Sequence, residues 1–421
     1  MSDGRIQSLD RTHLWHPYTQ HALAGDHVEI TRASGAYLYD ATGRRIFDAI
    51  SSWWVTLHGH AHPVIARAVA DQASRLEQVI FAGFTHEPAV LLAADLVRIV
   101  PEGLTRVFYT DDGSTAVEVA LKMALQYWEN AGERRRLVLA LEHAYHGDTF
   151  GAMSVSARGV FTAAFGDKLF DVVRLPDPSE HDVAAALEQE LARRGGEIAA
   201  VIVEPMLMGA GGMRMWTADA LRRVRQLTRQ HDVFLIADEV LTGFGRTGPL
   251  FACNHAGITP DILCLSKGLT GGFLPLGATL ASERLFQGHV SNDRARTLFH
   301  GHSFTANPIA CAAARASIAL LGGECDAERA RIERAHRSAA LRLSEHARVR
   351  NARVLGTVLA FEVDGESDYL DTLGPALREF ALERGVLIRP LGNTVYFLPP
   401  YAASDGDLSD AYGVVLDFLD R

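Results

Sequence analysis

The chain has 421 residues, 48% hydrophobic and 22% charged, with 51 acidic against 41 basic side chains and a formal charge of −10. That is enough apolar material for a large core in more than one domain. The acidic balance argues against a nucleic-acid binder, which needs a basic stripe, and no uninterrupted apolar run reaches the roughly 18 residues of a membrane span.

The opening MSDGRIQSLDRTHLWHPYTQ has no apolar targeting core, which predicts a cytoplasmic protein. GAYLYDATGRRIFDAI reads as a hairpin. His58, His60 and His62 in HGHAHP look like a metal tract. The glycine, the alanine and the following proline suggest a tight loop instead, and no carboxylate stands at a matching spacing, so no metal site is expected. Further on, short apolar runs alternate with helical patterns: TRVFYT, the helix STAVEVALKMALQYWENAG, RLVLAL, AAVIVEP, the helix TADALRRVRQLTRQHD, VFLIADEV and DILCLSK. These runs are apolar on both faces, the pattern of a parallel sheet covered by helices on both sides. The basic clusters ERRR (133–136) and ARR read as solvated helix ends.

Past residue 305 a small-residue helix, ANPIACAAARASIALL, leads to the strand pair RVLGTVLAFEV, the helix LGPALREFALERG, the strands VLIRP and TVYFLPP, and a last helix. This is an α+β unit of its own. The expected organisation is an N-terminal segment, 1–60, packing with the small domain, a large domain, 61–305, and a small C-terminal α+β domain, 306–421. Cys253, Cys264, Cys311 and Cys325 lack C-x-x-C spacing, which argues against a zinc or dithiol motif. Cys264 and Cys311 sit in apolar contexts and read as core residues.

In open α/β sheets ligands bind beyond the carboxyl ends of the strands, so the residues just past each run carry the functional signal. TRVFYT leads into Asp111, Asp112, Gly113, Ser114 and Thr115, where amides and hydroxyls at a helix start suit a phosphate or simply cap the helix. RLVLAL leads into Glu142, His143, Ala144, Tyr145, His146, Gly147 and Asp148. AAVIVEP delivers Glu204 and the flexible GAGGM, VFLIADEV delivers Asp238 and Glu239, and DILCLS delivers Lys267. Five neighbouring strands ending in such residues predict a site at one sheet edge.

Lysine is among the side chains least willing to be buried, yet Lys267 ends a core strand. With Asp238 it matches the needs of pyridoxal phosphate: a lysine to form an imine with the aldehyde, and a carboxylate against the ring nitrogen. The cofactor also wants a helix N-terminus for its phosphate and a ring to stack on its face. Gly113 with Ser114, and Tyr145, supply these. A plain buried Asp–Lys pair is costly and leaves the other features unexplained. The glycines after Lys267 are expected to let backbone pass close to the cofactor.

With those residues in view, the chain resembles the class III (ornithine/GABA-type) aminotransferases of pyridoxal-phosphate fold type I over essentially its whole length. IADEV followed by TGFGRTG, SKGLTGG followed by LPLGA, EP followed by GAGGM, and HSFTANPIACAAA carry the resemblance. It implies an α/β fold with a mostly parallel central sheet, helices on both faces and a smaller α+β C-terminal domain. It also implies pyridoxal phosphate as cofactor, small-molecule substrates, and a homodimer with active sites at its interface. HLWHPYTQ, SSWWVTLHGHAHP, FAGFTHEPAV, AYHGDTFGAMSV and LIRPLGNTVYFLPPY are similar to the branch that aminates 8-amino-7-oxononanoate in biotin synthesis, generally with S-adenosylmethionine as donor.

Position by position, the resemblance implies that Lys267 holds the cofactor and shuttles a proton, and that Asp238 pairs with the ring nitrogen. Gly113 and Ser114 hold the phosphate, with Glu204 also on the cofactor side, and Tyr145 stacks on the ring and touches substrate. His302 and Ser303 complete the phosphate cup from the second subunit. Tyr18, Trp53, Gly301, Arg389 and Tyr396 line the substrate site, with Trp54 beside it. The residue chemistry agrees for a substrate that is an apolar chain ending in a carboxylate: tryptophan offers flat apolar surface and Arg389 a bidentate fork. One of the two adjacent tryptophans is expected to be core. Gly301-His302-Ser303 stands where that branch commonly has Gly-Pro-Thr, as in synthases resembling a lysine-using type, which leaves lysine open as the donor. Leu241 stands where ornithine and GABA enzymes carry glutamine, which argues against those substrates. The competing readings are an ω-aminotransferase of another diamine or β-amino acid, and a non-catalytic binding protein of the same fold, against which the intact Lys267 and Asp238 speak.

Overall fold

The computed structural model describes residues 4–365, 369–370 and 372–421. Its centre is a seven-stranded sheet in the order Leu104–Thr110, Gly277–Ser282, Ile262–Leu265, Phe234–Asp238, Ile198–Val203, Leu137–Leu141 and Val173–Leu175. The last five pair parallel, while the 277–282 strand is antiparallel to both its neighbours. The sequence predicts five neighbouring strands converging on the site, and here the structure corrects it: the 277–282 strand separates 104–110 from 262–265. GATLAS is dominated by small residues that give little strand signal. Because it runs back antiparallel, 104–110 and 262–265 still point the same way, and all five strands deliver their carboxyl ends to one edge.

The inner strands are buried at every residue. Successive side chains of a strand face opposite sides, and the sheet separates two cores accordingly. Leu139, Val201, Leu235 and Leu263 join one. Val138, Ala140, Ile202, Phe234, Ile236 and Cys264 join the other, with Val117, Leu121 and Trp128 of the helix Gly113–Asn130. That helix begins at a capping box: Thr115 N–H donates to Asp112 Oδ1 at 2.8 Å, and Asp112 N–H donates to Thr115 Oγ1 at 3.1 Å. Its start is thereby fixed at the carboxyl end of the 104–110 strand.

The hairpin read in GAYLYDATGRRIFDAI is present as Tyr37–Asp40 and Arg45–Asp48, extended by Ile30–Ser34. Val386–Leu387 adds to it in parallel. Val349–Leu355, Val358–Val363 and Thr394–Phe397 form a three-stranded antiparallel sheet. All four cysteines are buried and free. Among the described residues no helix is long and apolar enough to cross a membrane.

Asp261 fixes the entry to the two strands that end in Asp238 and just before Lys267. Its Oδ2 accepts Leu235 N–H at 2.8 Å, and its two oxygens take a bidentate fork from Arg225 at 2.6 and 3.1 Å. Both partners are largely buried, at 8% and 15% exposed. Asp261→Ala strands a guanidinium and should cost about 3–5 kcal/mol, measured by urea unfolding. A loss within the range of surface pairs, below about 1 kcal/mol, would contradict this account.

Candidate active site

Lys267 opens a single 3-10 turn, Lys267–Thr270, directly beyond the 262–265 strand. Ser266 Oγ donates to Leu276 O at 2.8 Å, and Leu269 N–H closes on Ser266 O at 2.9 Å. Lys267 itself is held at φ +42°, a left-handed conformation that costs on the order of 1–3 kcal/mol outside glycine. Lys267 is half-buried, its side chain enclosed except towards a cavity. Desolvation pushes its pKa down from 10.5 to about 8, against the opposing pull of Asp238 and Glu204. Nζ lies 4.4 Å from the centroid of Trp54.

The amine opens on a cavity of about 450 Å³ that is also lined by Ser114, Tyr145, Glu204, Asp238 and Leu241. Asp238 is buried. Its Oδ2 lies 2.7 Å from His146 Nδ1, and its Oδ1 accepts Val240 N–H at 3.1 Å. The His146 ring is fully enclosed, and its Nε2 has no hydrogen-bond partner. Glu204 uses both oxygens on backbone, accepting Tyr145 N–H and Gly209 N–H at 2.9 Å each. Burial pushes its pKa up to about 7, with His146 pulling it down and Asp238 adding to the rise. Glu204 therefore fixes the loop that carries Tyr145.

Gly113 and Ser114 occupy the first turn of the 113–130 helix, where amides have no intrahelical partner, and both line the cavity. A Cβ on Gly113 would stand 2.6 Å from Val240 Cγ1, so only glycine lets the helix start pack against the segment after Asp238. Ser114 Oγ accepts Asp148 N–H at 3.3 Å. A half-buried amine with a depressed pKa, a buried carboxylate and a helix start whose Gly113 and Ser114 amides have no intrahelical partner, all on one cavity, are the donor set of pyridoxal phosphate, and the residues present fit it.

A second recess of about 300 Å³ continues outward from Lys267, lined by Tyr18, Trp53, Phe161, Arg389 and Tyr396. Here the two tryptophans separate, as expected. Trp54 is 5% exposed and donates Nε1–H to Tyr396 OH at 2.9 Å, whereas Trp53 is 42% exposed. The Arg389 guanidinium lies 4.7 Å from the Trp53 centroid, and no ion pair to it is found among the described residues. Tyr18 OH donates to Asp148 and lies 3.3 Å from Tyr145 OH. Burial, with Asp148 adding, pushes the Tyr18 hydroxyl up to about 12.

The loop that presents the tryptophans is strained, with Ser51, Ser52 and Trp54 all at positive φ. Asp48 holds it by accepting Ile50 N–H at 3.2 Å and Ser52 N–H at 2.6 Å, and is itself gripped by His60 Nε2 at 2.8 Å. The histidine tract thus has a carboxylate partner after all, one brought to it by the turn, while His58 pairs with Ser317 Oγ at 3.2 Å. The glycines after Lys267 also differ from expectation. A Cβ on Gly268 or Gly271 would meet Leu57 or Ile65 at 2.9 Å, so they pack on the 51–73 region, and of the three only Gly272 lines the cavity.

Gly301, His302 and Ser303 do not line either recess of this chain. His302 Nδ1 lies 3.3 Å from Asp111 Oδ2 without hydrogen-bond alignment. Residues that sequence reasoning left without a role are His146, Asp148 and Phe161. His146 stands beside Tyr145 in the sequence, but its contact with Asp238 spans 92 positions, which no local pattern shows.

Residues 20–419 match the family model of class-III aminotransferases. The chain is 50% identical to the adenosylmethionine-8-amino-7-oxononanoate aminotransferase of Synechococcus elongatus, over 97% of this chain and 99% of that protein. It is 40% identical to the protein of the same name from Mycobacterium leprae, over 98% and 96%. The crystal structure of adenosylmethionine-8-amino-7-oxononanoate aminotransferase from Methanocaldococcus jannaschii is similar with a TM-score of 0.94 and 32% identity, over 98% of this chain and 99% of that one. An omega transaminase from Pseudomonas jessenii reaches 0.93 at 28% identity over 98% of both chains.

An amine attacks an aldehyde in its neutral form. The rate at which cofactor-free protein takes up pyridoxal phosphate should therefore rise with pH through about 8 and level off above it, followed by stopped-flow absorbance. A midpoint at the ordinary lysine value of 10.5 would show that burial does not tune Lys267.

Proposed function

The chain belongs to the class-III aminotransferases, and from that premise we propose that it transfers an amino group to 8-amino-7-oxononanoate, giving 7,8-diaminononanoate in biotin synthesis, with S-adenosylmethionine as donor. The observation that carries this reading is the outer recess, where an aromatic wall at Trp53 carries an Arg389 guanidinium that has no ion-pair partner among the described residues. An apolar chain ending in a carboxylate matches that sequence of surfaces. The names of the relatives point to the same substrate.

Pyridoxal phosphate, when bound, supplies an electron sink and an aldehyde for the amine. Lys267 anchors it and, with a pKa near 8, can release and take back a proton around neutral pH. Asp238, oriented by His146, would hold the ring nitrogen of the bound cofactor. Gly113 and Ser114 take the phosphate at the helix start, with Glu204 fixing the Tyr145 loop behind it. Tyr145 would cover the cofactor, and Trp54 with Tyr396 forms the wall of the passage. Tyr18, Trp53 and Arg389 receive the substrate.

Gly301, His302 and Ser303 serve the site of a second copy in a homodimer. What supports this is that they line neither recess of their own chain, although His302 reaches Asp111 at the cavity's edge, and that exposed apolar side chains stand beside them, Phe299 at 70% and Phe304 at 58%. The division into 1–60, 61–305 and 306–421 is proposed with it, the first part joined to the last by the pairing of 45–48 with 386–387. Four free cysteines suit a reducing, cytoplasmic setting.

The reading is tested by half-reactions. S-adenosylmethionine and L-lysine are added separately to the pyridoxal form, and the loss of its visible band is followed. The band should bleach with S-adenosylmethionine and return with 8-amino-7-oxononanoate. Bleaching by lysine alone would reassign the donor, and failure of the keto acid while other ketones succeed would make the chain a different ω-aminotransferase. Arg389→Ala should raise KM for the keto acid roughly 10- to 100-fold, the worth of hydrogen bonds to a charged group, and leave the donor half-reaction nearly unchanged. Equal effects on both would remove Arg389 as the clamp.

A further inference from the structure

Away from the cavity, one cluster carries a donor set that the proposed reaction does not use. Asp10 lies in the first helix, Arg5–His13, and two imidazoles converge on its carboxylate. His16 Nε2 stands 3.0 and 3.1 Å from Asp10 Oδ1 and Oδ2, and His27 Nδ1 stands 3.1 Å from Oδ2. The three donor atoms lie within 4.8 Å of one another, and the His16 and His27 rings are stacked with centroids 3.8 Å apart. Asp10, His16 and His27 are half-buried, with side chains 18%, 27% and 32% exposed.

Ligands at about 2.0–2.2 Å from one ion, spread at tetrahedral angles, stand roughly 3.3–3.5 Å apart. The two carboxylate–imidazole separations are a few tenths of an ångström shorter, the two imidazole nitrogens lie within 4.8 Å of each other, and the stacked rings turn out of their parallel arrangement to aim both lone pairs at one ion. Two imidazoles and a carboxylate are a borderline-soft set that suits zinc and its neighbours better than magnesium or calcium, which prefer all-oxygen sites. We propose that Asp10, His16 and His27 form a zinc-type divalent metal site, with three protein ligands and a fourth position for water.

The three ligands come from the first helix and from both ends of the loop that follows it. The ion would join the first helix to both ends of the 17–26 loop, beside the Arg11–Asp26 ion pair. Tyr18 is two residues beyond His16, sits at φ +51°, and reaches Asp148 and Tyr145. The site is therefore a clip on the loop that presents Tyr18. That consequence rests on the proposed substrate recess, whereas the ion binding itself does not.

The test is equilibrium dialysis of the chelator-treated, cofactor-loaded protein against zinc(II) alone, with metal counted per chain and unfolding temperature followed in parallel. The unsubstituted chain should retain one zinc and unfold at higher temperature with it. His27→Gln and Asp10→Asn should retain none and show no rise, and His27→Cys, which keeps a ligand at that position, should retain the ion. Absence of stoichiometric zinc from the unsubstituted chain, or undiminished zinc in both His27→Gln and Asp10→Asn, would overturn the proposal. Zinc stoichiometry does not depend on which amine the chain transfers, so failure here is distinct from failure of the proposed reaction.

Discussion

The costliest feature of the sheet edge is the partial desolvation of the Lys267 amine. A pKa lowered from 10.5 to about 8 means that burial works against the protonated lysine by on the order of 3 kcal/mol. The sign comes from proton counting: between about 8 and 10.5 the unfolded chain binds more protons at this residue than the folded one. Stability from this group therefore rises with pH across that window, and the full cost is present below about 8. A fold aimed only at stability has no reason to keep such a residue, or to set it at positive φ. Both costs fall on the side chain that faces the cavity.

The surrounding loops are held by a repeated device, a buried carboxylate that accepts backbone amides from irregular chain. Asp48 fixes the strained loop of Trp53 and Trp54. Glu204 fixes Tyr145 and Gly209. Glu239, next to Asp238, accepts Ala252 N–H at 2.6 Å, Cys253 N–H at 2.9 Å and Thr242 Oγ1–H at 3.1 Å. Buried amides without partners are costly, and regular ladders cannot serve segments that must bend around a cavity. Of these acids Glu204, together with Asp238, also draws the Lys267 pKa back up, short of full compensation.

Much of the site was legible in the sequence because its anchors sit where strands end. Asp238 closes an apolar run and Lys267 follows another after one serine, so position along the chain was enough to find them. The 277–282 strand was not legible, since Gly, Ala, Thr and Ser carry little periodic hydrophobicity. The role of His146 and the Asp48–His60 pair were hidden for a different reason. Both are side-chain contacts made only when separate turns meet, and neither has a spacing signature. The glycines after Lys267 were read as room for a ligand, while Gly268 and Gly271 serve close packing against Leu57 and Ile65. Trp53 and Trp54 could be told apart only by the left-handed turn between them and the core.

The central claim is that Asp238, held by His146, makes the bound cofactor an electron sink and does not merely retain it. The most direct measurement is the single-turnover rate of the donor half-reaction in Asp238→Asn, made on protein whose bound pyridoxal phosphate is quantified beforehand. The account predicts near-stoichiometric cofactor and a rate lower by at least about a hundredfold, as expected when a preorganised charge at the reacting centre is removed. A variant that binds the cofactor and transfers the amino group at the original rate would contradict it.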